Sequence, residues 1–185
     1  SADFSPGASV EKRAQAVYDY LSKKGYTKEG ISAILGNFSV ESGINPKRAE
    51  GDYLNPPVGA HGNSWDEPSW LSMGGPQIYG GRFPNILHRG LGLGQWTDTA
   101  DGGRRHTLLL DYAKGKNKKW YDLQLQLDFI FDGDALGSRT AADNVARSKV
   151  AATIPELTTY FLTVWEGNPG DKLGERIQAA QNWFT

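Results

Sequence analysis

The sequence predicts a mainly helical domain of α+β character, with a helical lobe and a loop-rich lobe on either side of a cleft. Three observations carry that expectation. Apolar residues recur at helical spacing near both ends of the 185-residue chain. Between them, residues 47–89 hold Pro56-Pro57, Pro68, Gly74-Gly75-Pro76, Gly80-Gly81 and Pro84, with no helical period and room for short hairpins at most. Tyr53, Trp65, Trp70 and Tyr79 are set among those breakers, which argues for an ordered wall rather than a loose linker.

The length suits one domain with a sizeable core, expected over 9–185 behind a disordered leader or linker at 1–8. A net charge of -1 and a pI near 6.3 give no push toward nucleic acid or anionic membranes. No apolar run reaches membrane-spanning length, so no membrane insertion is expected. The absence of cysteine excludes a disulfide scaffold and a thiolate metal site. Six Trp and eight Tyr supply many flat apolar faces, of the kind that fill cores and stack on sugar rings.

In chain order, a helix from Ser9 turns Val10, Ala14, Val17, Tyr18 and Leu21 inward and ends near Gly25. Thr27 then caps a second helix, giving a helical hairpin; Ile31, Ile34, Leu35 and Phe38 form its one buried face. Gly43 suits the left-handed position past a helix end, and Pro46 blocks continuation. Glu41 stands in the last turn of that helix, where backbone carbonyls carry partial negative charge and disfavour a carboxylate. An acid kept protonated near neutral pH is what general acid catalysis requires. The plainer alternative is a solvated Glu fraying from a helix end.

Beyond the loop-rich stretch, Gly90, Gly92 and Gly94 alternate with Leu91 and Leu93, a period of two that predicts a strand. Its bare face would admit a ligand or another backbone; a bulged strand packed on a helix is the alternative. Gln95 and Trp96 put an amide and a large ring beside it. After an Asp101-Gly102-Gly103 turn, helices resume at 105–113 and 120–131, around a basic loop at 114–119. Thr140 and Asp143 resemble a capping box. Pro155 belongs in the first turn of an apolar helix running through Trp165, and Asp171 is expected to cap a last helix closing at Trp183 and Phe184.

Metal and cofactor chemistry find little support. His61, His88 and His106 are scattered, and Asp132, Asp134 and Asp143 imitate a calcium loop with Leu136 at a ligand position. A helix-breaking turn is the simpler reading there. No GxSxG and no Walker pattern is present. Acid chemistry beside aromatic and glycine-lined surfaces is left, and glycoside cleavage fits it. That reaction needs one protonated carboxyl at the scissile oxygen and a second group to stabilise the oxocarbenium ion or activate water. Asp52, Asp66, Asp98 and Asp101 are candidates for the second group, Asp52 and Asp98 foremost. A separation of about 5 Å between the two carboxyls would mean retention, and about 6.5–9.5 Å inversion.

ILGNFSVESGINP followed by GLGLGQWT resembles the phage tail lysozyme type of domain, within the lysozyme-like superfamily of goose-type lysozymes and soluble lytic transglycosylases. The family motif E-S-x-x-N-P falls on Glu41 to Pro46 without a gap, which implies a catalytic Glu41. A later G-L-x-Q segment matches Gly92-Leu93-Gly94-Gln95 and implies a glycan-binding Gln95, with Gly94, Trp96 and Tyr79 expected at the same site. TYFLTVWEGNP is similar to the family's late F-L-x-x-(Y/W)-E helix, which implies Trp165 and Glu166 near the cleft floor. The similarity spans roughly 9–185. It implies a lysozyme-like fold and a muramidase that cuts the β-1,4 bond between N-acetylmuramic acid and N-acetylglucosamine in bacterial peptidoglycan. No cofactor is implied. The setting would be a secreted or phage-tail-associated protein at the cell wall, as a monomer or one module of a larger chain. A lytic transglycosylase using Glu41 alone is the first alternative. A glycan-binding module without turnover is the second, and an intact Glu41 counts against it.

Overall fold

A computed structural model describes residues 9–48, 90–99, 102–168 and 170–185. The expected leader at 1–8 and nearly all of the expected loop-rich lobe lie outside the described residues, as do Asp52, Asp66, Tyr79 and Asp101. The described residues are mainly helical, as expected. They form α1 (Val10–Lys23), α2 (Lys28–Ser42), α3 (Arg105–Gly115), α4 (Leu123–Asp132), α5 (Leu136–Ala146), α6 (Ile154–Tyr160), a π-helical turn (Phe161–Trp165) and α7 (Leu173–Phe184). Among the described residues, β pairing is confined to two isolated antiparallel bridges, Leu91 with Trp96 and Asp98 with Arg104.

At the centre, α2 packs against α1, α5, α6, the π turn and α7, while α3 and α4 pack on each other and α4 on α5. Its ends follow local rules. Thr27 Oγ1 accepts from Gly30 N at 3.0 Å, and Gly43 closes the helix at φ 64°. The sequence pattern indicates one buried face, yet every residue from Gly30 to Phe38 is buried. Small side chains explain the difference. A Cβ on Gly30 would lie 2.3 Å from Val145 O at the end of α5, and one on Gly36 2.5 Å from Arg176 O in α7. Neighbouring backbones thus occupy positions that look neutral in a hydropathy pattern.

Four other details differ from the sequence expectations. A Thr/Glu cap forms at Thr153, whose Oγ1 accepts from Glu156 N at 3.3 Å and donates to Glu156 Oε1 at 2.6 Å. Thr140 instead lies inside α5 and donates back to Leu136 O at 3.0 Å. Lys172, at φ 54°, precedes α7, while Asp171 supplies a backbone carbonyl to Arg176 at 2.9 Å. The Gly/Leu alternation makes a tight loop rather than a strand, because Gly92 at φ 75° turns the chain and Leu91 and Trp96 pair through bonds of 3.1 and 3.0 Å.

Aromatic rings run through the core from α2 to α4. Trp165 stacks on Phe161 at 4.4 Å between centroids and meets Phe38 and Trp96 edge-on at 5.9 and 6.0 Å. Trp96 continues to Phe129 of α4 at 5.1 Å. This spine connects the end of α2, the glycine loop and the π turn.

Candidate active site

Glu41 is the penultimate residue of α2. Just past the helix end, Arg13 of α1 donates from Nε to Ile44 O at 2.7 Å and from Nη2 to Gly43 O at 3.3 Å. A cation therefore meets the helix terminus, and the partial negative charge expected there is partly offset. The surroundings of Glu41 are set instead by side chains from distant parts of the chain. Arg176 of α7 donates from Nη2 to Glu41 Oε1 at 2.8 Å. Its Nη1 reaches Glu166 Oε2 at 3.0 Å and Asn37 Oδ1 at 3.2 Å. Its Nε is held by Asp171 O at 2.9 Å. The guanidinium is thus anchored along both edges of its planar fork.

Each partner is delivered by local structure. Asn37 and Glu41 are four residues apart on α2, hence on the same helix face. Gly36 lets α7 cross closely enough for Arg176 to reach both. The π turn, marked by Glu166 N bonding Phe161 O at 3.1 Å, ends the α6 run at the residue that joins the cluster. Its last ring, Trp165, lies under the Arg105 guanidinium at 4.3 Å, and Trp165 O accepts from Arg105 Nη1 at 2.9 Å. Arg105 in turn clasps Asp134, Nε to Oδ1 at 3.0 Å and Nη2 to Oδ2 at 2.7 Å. Asp134 belongs to this buried pair, in the helix-breaking turn after α4.

Burial separates the members of the cluster. The Arg176 side chain is 2% exposed, Glu166 6% and Glu41 21%. Loss of water raises the Glu166 carboxyl well above its ordinary value; the charge of Glu41 and a hydrogen bond with it add to the shift, while Arg176 and Arg105 oppose it. Glu166 Oε1 meets no donor among the described residues.

The glycine loop is tied to the same helix end. Ser42 Oγ donates to Leu93 O at 2.9 Å. Buried Gln126 of α4 accepts from Leu93 N at 2.9 Å and donates to Pro46 O at 2.9 Å and Trp120 O at 2.8 Å. The segment ending at Pro46 and the Gly92–Gln95 loop are thereby joined through one amide. Gln95 itself donates to Gly92 O at 2.9 Å and Arg48 O at 3.2 Å, so its amide nitrogen shapes the loop. The glycines make room for side chains: a Cβ on Gly94 would sit 2.4 Å from the Trp165 ring, and one on Gly92 2.6 Å from Gln126 Oε1.

Other expected site residues are placed differently. Trp96 and Trp165 are each 1% exposed, and Trp96 Nε1 donates to Asp134 Oδ2 at 3.2 Å. Both rings are thus packed into the core, and the expectation that they contact glycan is a matter for substrate binding. Asp98 accepts from Thr107 N at 2.9 Å and from Thr107 Oγ1, so both its oxygens hold the first turn of α3. Asp52 and Tyr79 lie outside the described residues. Arg176, Asn37 and Gln126 were not evident from sequence. Polar residues inside apolar helical runs were the available signal for Asn37 and Gln126; Arg176 carried none.

The described chain is a helical domain with two carboxyls gathered on one buried arginine at a helix end. The family model described as phage tail lysozyme matches residues 12–185, and the chain belongs to that family. Membership implies a lysozyme-like, cell-wall lytic enzyme that acts on peptidoglycan, at a phage tail or outside the cell. Comparison with curated proteins finds no match. Among the described residues, no helix is long and apolar enough to cross a membrane.

Proposed function

We propose that this domain is a muramidase that cleaves the β-1,4 bond between N-acetylmuramic acid and N-acetylglucosamine, with Glu41 as general acid. The observation that carries the reading is the acid pair at the end of α2: Glu41 is its more exposed member and is oriented by Arg176 at 2.8 Å. Glu41 gives a proton to the glycosidic oxygen as the C–O bond breaks, and the leaving sugar departs as a neutral alcohol. Water then adds to the oxocarbenium-like carbon and returns a proton to the site. The Gly92–Gln95 loop, tied to Ser42 next to Glu41, is the proposed neighbour of the glycan, with Gln95 and Gly94 keeping its shape. A module that only binds glycan has no need of two acids gathered on one arginine, which favours catalysis.

A second reading is transglycosylation, in which the muramic 6-hydroxyl replaces water and Glu41 acts first as acid and then as base. The commitment of both Asp98 oxygens to Thr107 favours it, because Asp98 is then less available as the second carboxylate. Asp52 is the remaining leading candidate for that role under hydrolysis.

Glu41→Gln tests the assignment, because the amide keeps the shape but has no acidic proton. Wall lysis is expected to fall roughly 10²–10⁴-fold with folding and glycan binding retained. Lysis within a few-fold of wild type would exclude Glu41 as the acid. Mass spectrometry of wild-type digests separates the two readings. Products with added water and a reducible muramic end support hydrolysis, and anhydro ends support transglycosylation.

A further inference from the structure

We infer that the exposed lysines of the loop between α3 and α4 bind the carboxylates of the peptide stems on the strand at the active site, so that the domain recognises stem-bearing peptidoglycan rather than bare glycan. This inference rests on the peptidoglycan-cleaving reading and adds which groups of the polymer are recognised; it does not depend on which residue is the acid.

Lys114, Lys116, Lys118 and Lys119 follow one another within residues 114–119, and all four are exposed. The chain as a whole balances 20 Lys and Arg against 21 Asp and Glu, so this concentration of charge is local. Among the described residues, none of the four is paired with a carboxylate. Asp122 and Asp132 on the flanking helix are already engaged, by Leu125 N and by the Tyr112 hydroxyl, each at 2.9 Å. Helix stability accounts for half of the cluster. Lys114 and Lys116 close α3, where cations suit the partial negative charge of a helix C-terminus. Lys118 and Lys119 stand just before Asp122, the N-cap of α4, where the helix dipole disfavours cations. An anionic ligand gives those two a purpose that the fold does not.

The loop is wound and joined to the site. Asn117 N bonds Lys114 O at 3.1 Å and Lys118 N bonds Ala113 O at 2.9 Å, with Asn117 at φ 55°. The next ring, Trp120, gives its backbone carbonyl to Gln126 Nε2 at 2.8 Å. The same amide donates to Pro46 O at 2.9 Å and accepts from Leu93 N at 2.9 Å. One buried side chain therefore joins the lysine loop to the segment after Glu41 and to the glycine loop. Lys47, next after Pro46, extends the basic surface, its Nζ 4.6 Å from the centre of the Tyr121 ring. In peptidoglycan the muramic lactyl groups carry peptides with free carboxylates, so a strand lying along the glycine loop brings such charges past the lysines at its own repeat. Phosphodiester polymers of the wall have the same sign of charge but do not recur on every disaccharide.

The test compares Glu41→Gln with the same protein carrying Lys114→Gln, Lys116→Gln, Lys118→Gln and Lys119→Gln. The probes are soluble strands with their peptides, the same strands with carboxyls coupled to neutral amides, and strands stripped of peptide. All are treated with hydrofluoric acid to remove phosphodiester polymers. The lysine variant should bind the stem-bearing strands about five- to tenfold more weakly at low salt, as expected of a few exposed ion pairs. The two proteins should bind the amidated and the stripped strands alike. The difference should close at about 1 M salt, where charges are screened beyond about 3 Å. Arginine at all four positions should keep the affinity. Equal binding of stem-bearing strands by the two proteins would overturn the proposal, as would a loss that persists on amidated strands. A loss seen only on walls not treated with acid would assign the lysines to a phosphodiester polymer and overturn it too. If the glutamine variant fails to fold, the salt dependence of the parent on the three probes decides. Wall lysis by Glu41→Gln would remove the assigned acid and leave the lysine comparison standing, because both proteins carry that change.

Discussion

Gly43 and Gly94 illustrate how two glycines in neighbouring signatures answer to different physics. Gly43 has φ 64°, and a Cβ there would meet nothing within 4 Å, so its requirement is conformational alone. Gly43→Ala should cost about 1 kcal/mol in denaturant unfolding, with no steric component. Gly94 is a matter of space, since a Cβ would press into the Trp165 ring at 2.4 Å. Gly94→Ala should cost about 1–3 kcal/mol by overpacking and also lower wall lysis by displacing the ring next to Glu166. Equal losses for the two variants, or full activity in Gly94→Ala, would contradict this division. The first glycine is legible in sequence, because a helical period stops there and proline follows. The second is not: alternation with leucine looks like a strand, and only the fold shows that Trp165 fills the space.

Between elements, the crossing of α2 and α7 decides the site. Gly36 permits it, as an added Cβ would lie 2.5 Å from Arg176 O and 2.6 Å from Ala180 Cβ. Gly36→Ala must push α7 away, and Arg176 with it. The expected result is a loss of about 1–3 kcal/mol in stability and a fall in lysis larger than the unfolded fraction explains. Unchanged activity per folded molecule would show that the crossing does not position the acid. The termini of α1 and α2 were legible because their caps are local: Ser9 and Thr27 each accept a bond from an amide three residues on. The π turn was not legible. Phe161 to Trp165 reads as ordinary helix, and its last residue, Trp165, is packed against Arg105 from a distant helix.

Across the whole molecule, the buried cluster ties stability to pH. The folded Glu166 carboxyl is raised above its ordinary value of 4.5, so the folded chain keeps a proton that the unfolded chain releases. That contribution is fully present below the ordinary value and is lost as pH rises through the folded value, at about 1.4 kcal/mol per pH unit within the window. Urea unfolding at a series of pH values should show this decline in wild type and a flatter profile in Glu166→Gln. Identical slopes would mean that Glu166 is ionised in the folded protein.

The sequence by itself determined the mainly helical class, the ends of α1 and α2, the placement of Glu41 in the last turn of α2 and the resemblance that points to a wall-lytic family. Those properties depend on hydrogen bonds and periodicity spanning a few residues, or on short motifs read in order. Tertiary structure alone decided what surrounds Glu41. Arg176 lies 135 residues further along the chain and reaches Glu41 because Gly36 lets two helices touch. Trp96 and Trp165 read as candidate sugar platforms from sequence, and only packing reveals that both rings are buried. Asp98 likewise reads as a free acid until Thr107 folds back onto it. In each case the side chain's chemistry is encoded locally, but its solvent exposure and partners arise only when segments far apart in sequence pack together.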